Sequence, residues 1–318
     1  MKIALEEHFM LPDFIPYLDQ AMPKVSDEGR AHLIAAMSDF GEQRLAAMDS
    51  AGVAFAVLSL SGPGVQVETD TAIAVKMARR ANDLLAEEVA KRPDRYGGFA
   101  HLAMQDAAAA AAELERCVRE LGFAGAMVNG QTNGIYLDDP RYDVFWERLQ
   151  ALDLPLYLHP GDSYRLPYVL EGAPELLKPT WEWNIETSSH FLRLVFAGVF
   201  DRFPGLKIVL GHMGETLPYV LWRLDSRSEL IVGKRPLQLA PSAYCRRNLY
   251  VTTSGQCDNV PLLAAIGGIG AEHVLFSVDY PYEDSAVAGK FLDDAPLDAA
   301  TREKVARLNA ATLMKLKL

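Results

Sequence analysis

The sequence has few cysteines and no long apolar run. Its 318 residues include three cysteines, Cys117, Cys245 and Cys257, which are too scattered for a disulfide framework or a CxxC metal site. We interpret all three as small core residues, which fits the reducing cytosol. The apolar stretches fall well short of the roughly 18 residues that a membrane span needs, and the acidic start MKIALEEH is unlike a signal peptide. We therefore expect a cytoplasmic protein with no membrane partner.

Positive charge is also scarce. Lys and Arg number 31 against 42 Asp and Glu, a formal net charge of −11, and no basic cluster offsets it. Such a chain repels polyanions, so we expect no nucleic-acid partner. A small anionic substrate would be repelled weakly as well. A site for an acid therefore needs a local cation, such as a divalent metal ion or an arginine.

Short β-rich apolar runs alternate with amphipathic, alanine-rich stretches along the chain. Eight strands are predicted, near residues 2–8, 53–59, 97–102, 124–128, 154–159, 207–211, 248–252 and 273–278. The predicted helical stretches include 70–92, 107–120, 140–152, 186–201, 214–230, 258–267 and 298–314. This alternation predicts an α/β fold, a (β/α)8 TIM barrel, in one domain over residues 1–318. The long connections near 9–38 and 160–185 are predicted lids or subunit contacts.

Four of the apolar runs end in potential metal ligands. These ligands are Glu6 and His8, His159, His212 and Asp279. The C-terminal ends of barrel strands open onto one rim, so residues far apart in sequence can converge on one ion. Strand alternation sends Glu6 and His8 into the barrel and Glu7 outward. Because two inward polar residues are costly to bury without a partner, this pattern favours a metal site over a purely polar network.

Several of these side chains have alternative roles. His212 is a metal ligand or a base beside the metal, and Asp279 binds the metal, exchanges a proton with substrate or caps a turn. Asn129 offers its amide to a bound hydroxyl or carboxylate, or shapes the Asn-Gly turn.

The arginines and the remaining histidines carry weaker signals. Arg223 follows Glu215 by two helical turns and either pairs with it or reaches a substrate anion. Arg44 is ambiguous in the same way. We interpret the histidines at 32, 101, 190 and 273 as structural, with a position in the wall of the cavity as the alternative for His101 and His190.

Six segments together resemble the amidohydrolase superfamily. They are Glu6–Phe9 and residues 79–100, 121–130, 156–160, 210–225 and 274–283. More narrowly, the chain resembles the metal-dependent nonoxidative decarboxylases of hydroxybenzoic acids. Its pattern is similar to that of the gamma-resorcylate (2,6-dihydroxybenzoate) decarboxylase group, in which the first strand ends Glu-Glu-His-Phe. The similarity runs nearly from end to end.

The resemblance implies a metal site and a substrate class. It implies one divalent ion, manganese or zinc, held by the residues Glu6, His8, His159 and Asp279. It also places His212 beside the metal in a hydrogen-bonded group with Glu215, puts Arg223 in the pocket of a small aromatic acid, and implies a homodimer or homotetramer. The family often reads Asp-Trp-Pro-Phe-Glu-Asn where this chain has Asp279-Tyr280-Pro281-Tyr282-Glu283-Asp284, and the loop at 160–182 differs as well. Both changes touch the wall that would meet ring substituents.

The reaction so predicted is loss of CO2 from an ortho-hydroxybenzoic acid. Direct loss would leave an unstable aryl anion, so the ring carbon must be protonated first, assisted by an ortho hydroxyl that the metal ionises. We hypothesise that Asp279 delivers this proton, helped by His212 and Glu215. Two rivals stay open: a metal-dependent hydrolase of a lactone, amide or C–C bond, and a catalytically inactive binding protein. The Glu-x-His pair, in place of the His-x-His of many hydrolytic relatives, disfavours the hydrolase.

Overall fold

Eight parallel strand positions form the centre of the fold in the computed structural model, which describes residues 1–22 and 25–316. The strands are β1 (Lys2–Phe9), β2 (Val53–Leu60), β3 (Tyr96–Gly98), β4 (Ala100–His101), β5 (Ala126–Asn129), β6 (Leu156–His159), β7 (Ile208–Leu210), β8 (Leu249–Thr252) and β9 (Val274–Leu275). β3 and β4 share one position, because they are separated only by Phe99, whose N–H donates to Leu58 O at 2.9 Å. All eight predicted strands are present. Pro23, Lys24, Lys317 and Leu318, which the predicted connection 9–38 and the predicted domain 1–318 include, lie outside the described residues.

The strands close into a ring. Neighbouring strands pair in parallel from β1 to β3 and from β4 to β9. On the free side of β1, Asp279 N donates to Glu6 O at 3.0 Å and His8 N donates to Tyr280 O at 2.8 Å. These bonds join the first strand to the segment after the last one. The predicted α/β barrel is therefore confirmed.

Helices cover the outside of the ring, and the last of them closes its lower end. They are α1 (Ile15–Ala21), α2 (Asp27–Ser38), α3 (Glu42–Ala51), α4 (Thr71–Lys91), α5 (Ala107–Glu120), α6 (Asp143–Leu152), α7 (Glu182–Phe196), α8 (Val199–Arg202), α9 (Leu217–Ser228), α10 (Pro241–Asn248), α11 (Asn259–Ile269), α12 (Ser285–Asp294), α13 (Ala299–Glu303) and α14 (Asn309–Met314). Every predicted helical stretch contains a helix. α4 begins as expected, because Asp70 Oδ1 accepts the N–H groups of Ala72 and Ile73 at 2.8 and 3.1 Å.

Five of the described helices, α1, α2, α3, α10 and α12, lie outside the helical stretches given above. The first two occupy much of the connection predicted near 9–38. The sequence nevertheless predicted a surface helix at His32, in α2, and a helix end before Gly52, after α3. α12 contains Gly289, which weakens a helical pattern. The glycine is explained by packing, since a Cβ there would lie 2.6 Å from the Cα of Ala51 in α3. Tertiary contact thus overrides local propensity in this helix.

The strands bury two separate layers of apolar side chains. Outward residues such as Leu156 and Leu158 pack against the helices. The inward layer, which we call the floor cluster, is continued by α14. The floor cluster consists of Ile3, Leu5, Val57, Phe99, Met127, Tyr157, Val209, Leu275, Ala310, Ala311, Leu313 and Met314, with Ala124 beside them. It fills the barrel below the C-terminal rim.

A β-bulge in β1 separates the floor cluster from the residues above it. Ala4 pairs with Ala56 and Glu7 with Leu58, so β1 carries one residue more than β2 between these pairs. At the extra residue, the N–H groups of Leu5 and Glu6 both donate to Ser277 Oγ, at 2.7 and 2.6 Å. A bulge reverses the alternation of side chains. Leu5 therefore faces the interior below, and Glu6 faces it above.

Two further expectations can be compared with the structure. Cys117 and Cys245 are buried as predicted, but Cys257 is exposed, so its assignment to the core was wrong. It lies in the loop after β8, between Gly255 and the start of α11, where the chain runs over the surface. Within the described ranges, none of the helices combines the length and the apolar character that crossing a bilayer requires.

Candidate metal centre and active site

Five side chains from four strand ends meet at the C-terminal rim. We call Glu6, His8, His159, His212 and Asp279 the rim cluster. Glu6 Oε1 lies 3.3 Å from His159 Nε2 and 4.0 Å from His212 Nε2. Asp279 Oδ1 lies 3.2 Å from His8 Nε2, and its Oδ2 lies 3.6 Å from His212 Nε2. Two groups, Glu6 with His8 and His159 and Glu6 with His212 and Asp279, each place their ligand atoms within 4.8 Å of one another.

Three polar atoms of the rim cluster are buried without a hydrogen-bond partner. Among the described residues, Glu6 Oε1, His8 Nε2 and Asp279 Oδ1 all lack one. A buried polar atom is normally satisfied, and an unsatisfied one costs about 1–3 kcal/mol. Burial also raises the pKa of Glu6, so this carboxylate needs a positive neighbour to stay ionised. A divalent cation would satisfy all three atoms, and carboxylate oxygen with imidazole nitrogen is a donor set suited to manganese or zinc.

Hydrogen bonds on the far side of two imidazoles direct their Nε2 atoms at the cluster. His159 Nδ1 lies 2.9 Å from Pro160 O, a carbonyl that can only accept. Nδ1 therefore carries the proton, and Nε2 keeps its lone pair free for a ligand bond. His8 Nδ1 lies 3.3 Å from Ser59 Oγ. Both rings are thus oriented as metal-binding histidines are.

His212 is held differently. Its Nδ1 lies 2.8 Å from Glu215 Oε1, and both residues adopt left-handed backbone, with φ of 51° and 57°. The predicted helix near 214–230 would have placed Glu215 on one of its faces. In the structure α9 begins at Leu217, so Glu215 precedes the helix. Gly255 packs against the imidazole, since a Cβ there would lie 2.9 Å from His212 Cδ2. This backbone places His212 Nε2 3.6 Å from Asp279 Oδ2.

Charge is unevenly distributed in the rim cluster. Burial acts to lower the pKa of His212, but the carboxylates around it, Glu215 foremost, outweigh burial and raise that pKa well above its usual value. Burial acts to raise the pKa of Asp279, but the nearby imidazoles of His212 and His8 outweigh it and hold that pKa well below the usual range. Burial lowers the pKa of His159 to about 3. These pKa shifts favour an ionised carboxylate at Asp279, a protonated imidazole at His212 and a neutral imidazole at His159.

Sequence reasoning missed a hydroxyl network below the rim cluster. The Tyr157 hydroxyl donates to Glu6 Oε2 and lies 2.8 Å from Thr252 Oγ1. Thr252 Oγ1 lies 2.8 Å from Ser254 Oγ, which accepts the N–H of His212 at 3.2 Å. Tyr157 precedes His159 by two residues and so shares its strand face. That alternation is a signal that could have identified it.

Two predicted substrate residues lie at the edge of the rim cluster. Asn129 ends β5, where it pairs with His159 of β6. Its backbone N–H donates to Gln66 Oε1 at 2.6 Å. The Tyr282 hydroxyl lies 2.8 Å from Ser61 Oγ, and its ring meets that of His8 edge-on with centroids 5.6 Å apart. Asn129 therefore neighbours His159 through strand pairing, and the ring of Tyr282 contacts that of His8.

The structure corrects the predicted position of Arg44. Its side chain is buried behind β1, where Nη2 donates to the carbonyls of His8 and Met37 at 2.6 and 3.1 Å. Its guanidinium also stacks on the ring of Tyr280 at 4.7 Å. Because these contacts occupy the outer side of the strand, Arg44 supports the rim from behind and does not face a substrate.

Arg223 also differs from expectation. Its side chain is exposed on α9 and lines a surface groove of about 810 Å³ with Arg193, Arg227 and Ile231. Within the described part of the chain it forms no ion pair with Glu215, which instead contacts His212. A single chain therefore does not bring Arg223 to the rim cluster.

The remaining histidines have structural positions. His101 and His190 are buried and accept backbone N–H groups, from Val65 at 3.0 Å and from Leu137 at 2.9 Å. Burial lowers the pKa of His101 to about 4 and that of His190 to about 3. His32 is exposed on α2. His273 bonds the carbonyl of Leu249 at 2.7 Å.

Known proteins are similar to this chain in sequence and in fold. A family model described as "Amidohydrolase" matches residues 29–316. A gamma-resorcylate decarboxylase of Rhodococcus jostii is 44% identical to the chain, with 99% of this chain and 98% of the relative aligned.

Two crystal structures are similar to the fold over nearly its whole length. One is a 2,6-dihydroxybenzoate decarboxylase complexed with 2,6-dihydroxybenzoate, at 42% identity and a TM-score of 0.93, covering 99% of both chains. The other is a dihydroxybenzoic acid decarboxylase of Polaromonas sp. with bound manganese and the inhibitor 2-nitroresorcinol, at 44% identity and a TM-score of 0.93, covering 99% of this chain and 97% of the other.

Proposed function

The chain belongs to the amidohydrolase family, and from that membership and its rim geometry we propose that it is a metal-dependent carboxy-lyase of an ortho-hydroxybenzoic acid. The proposed reaction converts a substrate such as 2,6-dihydroxybenzoate to resorcinol and CO2 without an oxidant. Relatives that are similar over the full chain carry this activity in their names.

The observation that carries the proposal is the set of unpartnered atoms in the rim cluster. We propose that Glu6, His8, His159 and Asp279 hold one divalent ion. Manganese is the first choice, since a relative's structure contains it, and zinc suits the same donors. When bound, the ion supplies positive charge that favours the ionised forms of the substrate's carboxyl and ortho hydroxyl groups. It would also reverse, locally, the repulsion from a chain of net charge −11.

We propose that Asp279 moves the proton that the reaction needs. A proton donor must either have a raised pKa or collect its proton when the substrate binds. The lowered pKa of Asp279 supports the second alternative, because an ionised carboxylate can take the proton of the ortho hydroxyl. Protonated His212, 3.6 Å from Asp279 Oδ2 and supported by Glu215 at 2.8 Å, stabilises the ionised carboxylate before it takes the proton and after it gives the proton up.

The proton then passes from Asp279 to the ring carbon that bears the carboxylate. The phenolate oxygen supplies the electron pair for the new C–H bond, and the ring loses its aromaticity. Cleavage of the bond to the carboxylate returns its electron pair to the ring, restores aromaticity and releases CO2. The product leaves as a phenolate and takes one proton from solvent. A preorganised, buried site favours this charge movement because its dipoles need not reorient.

The proposed substrate wall consists of Asn129 and Tyr282. The amide of Asn129 and the hydroxyl of Tyr282 offer hydrogen bonds to the ring substituents. Arg44 is reassigned to a supporting position behind β1, as described above. Arg223 remains a candidate for the substrate carboxylate only in an assembly, since within one chain it lies on the surface.

We further propose a cytoplasmic homodimer or homotetramer built from a single domain over residues 1–318. Exposed aromatic and aliphatic side chains support association, because monomeric proteins seldom expose such groups together. Tyr219 and Trp222 on α9 are 54% and 74% exposed, and Val232 beyond the helix is 98% exposed. The oligomeric state can be measured directly by light scattering.

A comparison of two substrate isomers tests the proposed function. Metal-free protein is reloaded with Mn²⁺ and given 2,6-dihydroxybenzoate, and released CO2 and resorcinol are measured together. We expect equal amounts of the two products, and no reaction when a chelator is present. The isomer 3,5-dihydroxybenzoate has the same groups without an ortho hydroxyl and should not react. Absence of CO2 from a panel of ortho-hydroxybenzoates would refute the decarboxylase, and hydrolysis of a lactone or amide panel would favour the alternative class.

A further inference from the structure

Tyr157 lies directly under the rim cluster and contacts one of its members. Its side chain is 0% exposed, on the inward face of β6. The hydroxyl is within hydrogen-bond reach of two groups, the Glu6 carboxylate and Thr252 Oγ1. The ring of Tyr157 therefore packs in the apolar floor cluster, and its hydroxyl points to the polar groups above it.

We propose that Tyr157 is a positioning residue for Glu6: its hydroxyl holds Oε2 of the carboxylate, so that Oε1 is presented to the metal ion. This inference rests on the proposed function, because it assumes that the rim cluster binds a divalent cation. It assigns a role to a side chain that does not itself touch the ion.

The two oxygens of Glu6 have opposite surroundings, which is the geometry that the proposal explains. Oε2 accepts from Tyr157, with Thr252 Oγ1 more distant at 3.5 Å. Oε1 has no hydrogen-bond partner within the ranges described and lies 3.3 Å from His159 Nε2. A carboxylate with two equivalent free oxygens could rotate or turn away from the ion. The tyrosine removes that freedom by engaging one oxygen only.

Gly211 lies close to the Glu6 carboxylate and limits the positions that this carboxylate can take. A Cβ at this position would lie 2.7 Å from Glu6 Oε2, closer than a real Cβ can approach. The carboxylate therefore fits between the Tyr157 hydroxyl and the backbone of residue 211. Because both neighbours are part of barrel strands or directly follow one, they form a rigid support.

The hydroxyl network has one consistent direction when Glu6 is ionised. A carboxylate only accepts, so Tyr157 donates to Glu6 and can then only accept at its 2.8 Å contact with Thr252, in which case Thr252 does not donate across its longer 3.5 Å contact with Glu6 Oε2. Thr252 then accepts from Ser254, whose oxygen also accepts the N–H of His212 at 3.2 Å. Donors in such a chain strengthen one another. The network thus links the backbone of the proton-handling residue to a metal ligand.

The test replaces Tyr157 by phenylalanine, which keeps the ring and removes only the hydroxyl. Mn²⁺ affinity of the metal-free protein is measured by calorimetry. We expect Tyr157→Phe to raise the Kd by roughly 10- to 100-fold, the loss typical of groups that orient a metal ligand. The Mn²⁺ electron paramagnetic resonance spectrum should also change, because Glu6 would be free to reorient.

A matched control is Tyr142→Phe. Tyr142 is also buried and donates its hydroxyl to Met104 O at 2.9 Å, away from the rim cluster. Its Kd for Mn²⁺ should equal that of the unsubstituted protein. Thr252→Val serves if Tyr157→Phe does not fold, and it should weaken binding in the same direction by a smaller factor.

The outcomes separate this inference from the proposed function. Normal Mn²⁺ binding by the unsubstituted protein, with the same Kd and spectrum in Tyr157→Phe, would overturn the positioning role alone. Equal losses in Tyr157→Phe and Tyr142→Phe would also overturn it, since the effect would then be general destabilisation. No Mn²⁺ binding by the unsubstituted protein would overturn the proposed function and this inference together.

Discussion

The two ends of the barrel interior use the same strand faces for opposite purposes. The floor cluster is apolar, and Ile3, Leu5 and Leu313 are almost completely buried there. The rim cluster, a few residues further along the same strands, carries buried polar atoms that have no partner among the described residues. The floor stabilises the fold, whereas the rim leaves polar atoms unsatisfied in a way that a bound ion would relieve.

Backbone geometry shows the same contrast. Asp279, His212 and Glu215 at the rim all have positive φ, of 79°, 51° and 57°. Residues other than glycine seldom adopt this conformation, and each instance costs of order 1 kcal/mol or more. Of the floor cluster members, none is among the positive-φ residues in the described ranges. Among the described residues other than glycine, positive φ therefore recurs at the rim, whereas near the floor it occurs only at helix ends outside the floor cluster, such as Asp153 and Lys315.

The largest predicted effect is the loss of turnover in Asp279→Asn. Removal of the proton carrier and metal ligand should lower kcat by roughly 10²- to 10⁴-fold or more. The fold should persist, since asparagine tolerates the left-handed backbone at this position. Decarboxylation rate and thermal unfolding are measured on the same preparation.

Asp284→Asn is the matched control for that substitution. Asp284 caps α12 by accepting the N–H of Val287 at 3.0 Å, and asparagine caps helices equally well. Turnover of this variant should be normal. Activity like that of the unsubstituted protein in Asp279→Asn would contradict the proton role.

At the floor, Leu313→Ala should have the reverse effect. Leu313 is 3% exposed on α14, and a cavity there should lower the free energy of unfolding by about 2–5 kcal/mol. Urea unfolding measures the loss, and kcat and the Kd for Mn²⁺ should stay unchanged. A variant that is fully stable, or one that loses its metal, would break the proposed separation of the two ends.

The free energy of unfolding should fall in acid because of His101, a buried histidine at the C-terminal end of β4. Burial lowers the pKa of His101 from 6.5 to about 4, so the folded state binds fewer protons there than the unfolded state. Its contribution is fully present above pH 6.5 and is lost as the pH falls towards 4. The total is on the order of 3 kcal/mol at 1.4 kcal/mol for each pKa unit.

The measurement is the free energy of unfolding of metal-free protein between pH 7 and pH 4, for the unsubstituted chain and for His101→Asn. The variant should be less stable at pH 7, because Val65 N–H loses its acceptor, but its curve should be flatter. Parallel curves would show that His101 does not titrate in this way.

The smallest expected effect is at the boundary between the two ends. Ser277→Ala removes the acceptor shared by the Leu5 and Glu6 N–H groups and leaves both buried donors unpaired. Stability should fall by about 1–3 kcal/mol. Because the bulge also directs Glu6 upward, Mn²⁺ binding should weaken as well, which calorimetry would detect. Ser50→Ala is the control, because the Ser50 hydroxyl donates to Ala47 O at an exposed position within α3.

Much of the barrel could be predicted because its strands have strong local signals. Val, Ile and Leu runs end in ligands such as His159 and Asp279, and alternation alone places Tyr157 and His159 on one face. The bulge could not be predicted in this way. Simple alternation would place Ile3 and Leu5 with Glu7, and only the contact with Ser277, 271 residues after Glu6, reverses it.

The arginines illustrate a second limit. Arg44 and Arg223 were both candidates for a substrate anion, with an ion pair as the alternative, and the family resemblance added a pocket position for Arg223. Arg44 instead satisfies backbone carbonyls at Met37 and His8, and Arg223 lies on an exposed helix face. Charge type alone does not tell whether an arginine faces the interior, the helix layer or solvent, since that depends on tertiary position. The roles assigned to the rim residues remain predictions for the experiments above.

Ring closure joins β1 to the segment after β9, and α14 completes the floor. In the cell, therefore, the rim cluster cannot be complete before Asp279 has left the ribosome, long after Glu6. A product terminated before Asp279 would lack both the closed ring and the floor. We expect such a product to be a clear target for proteolysis.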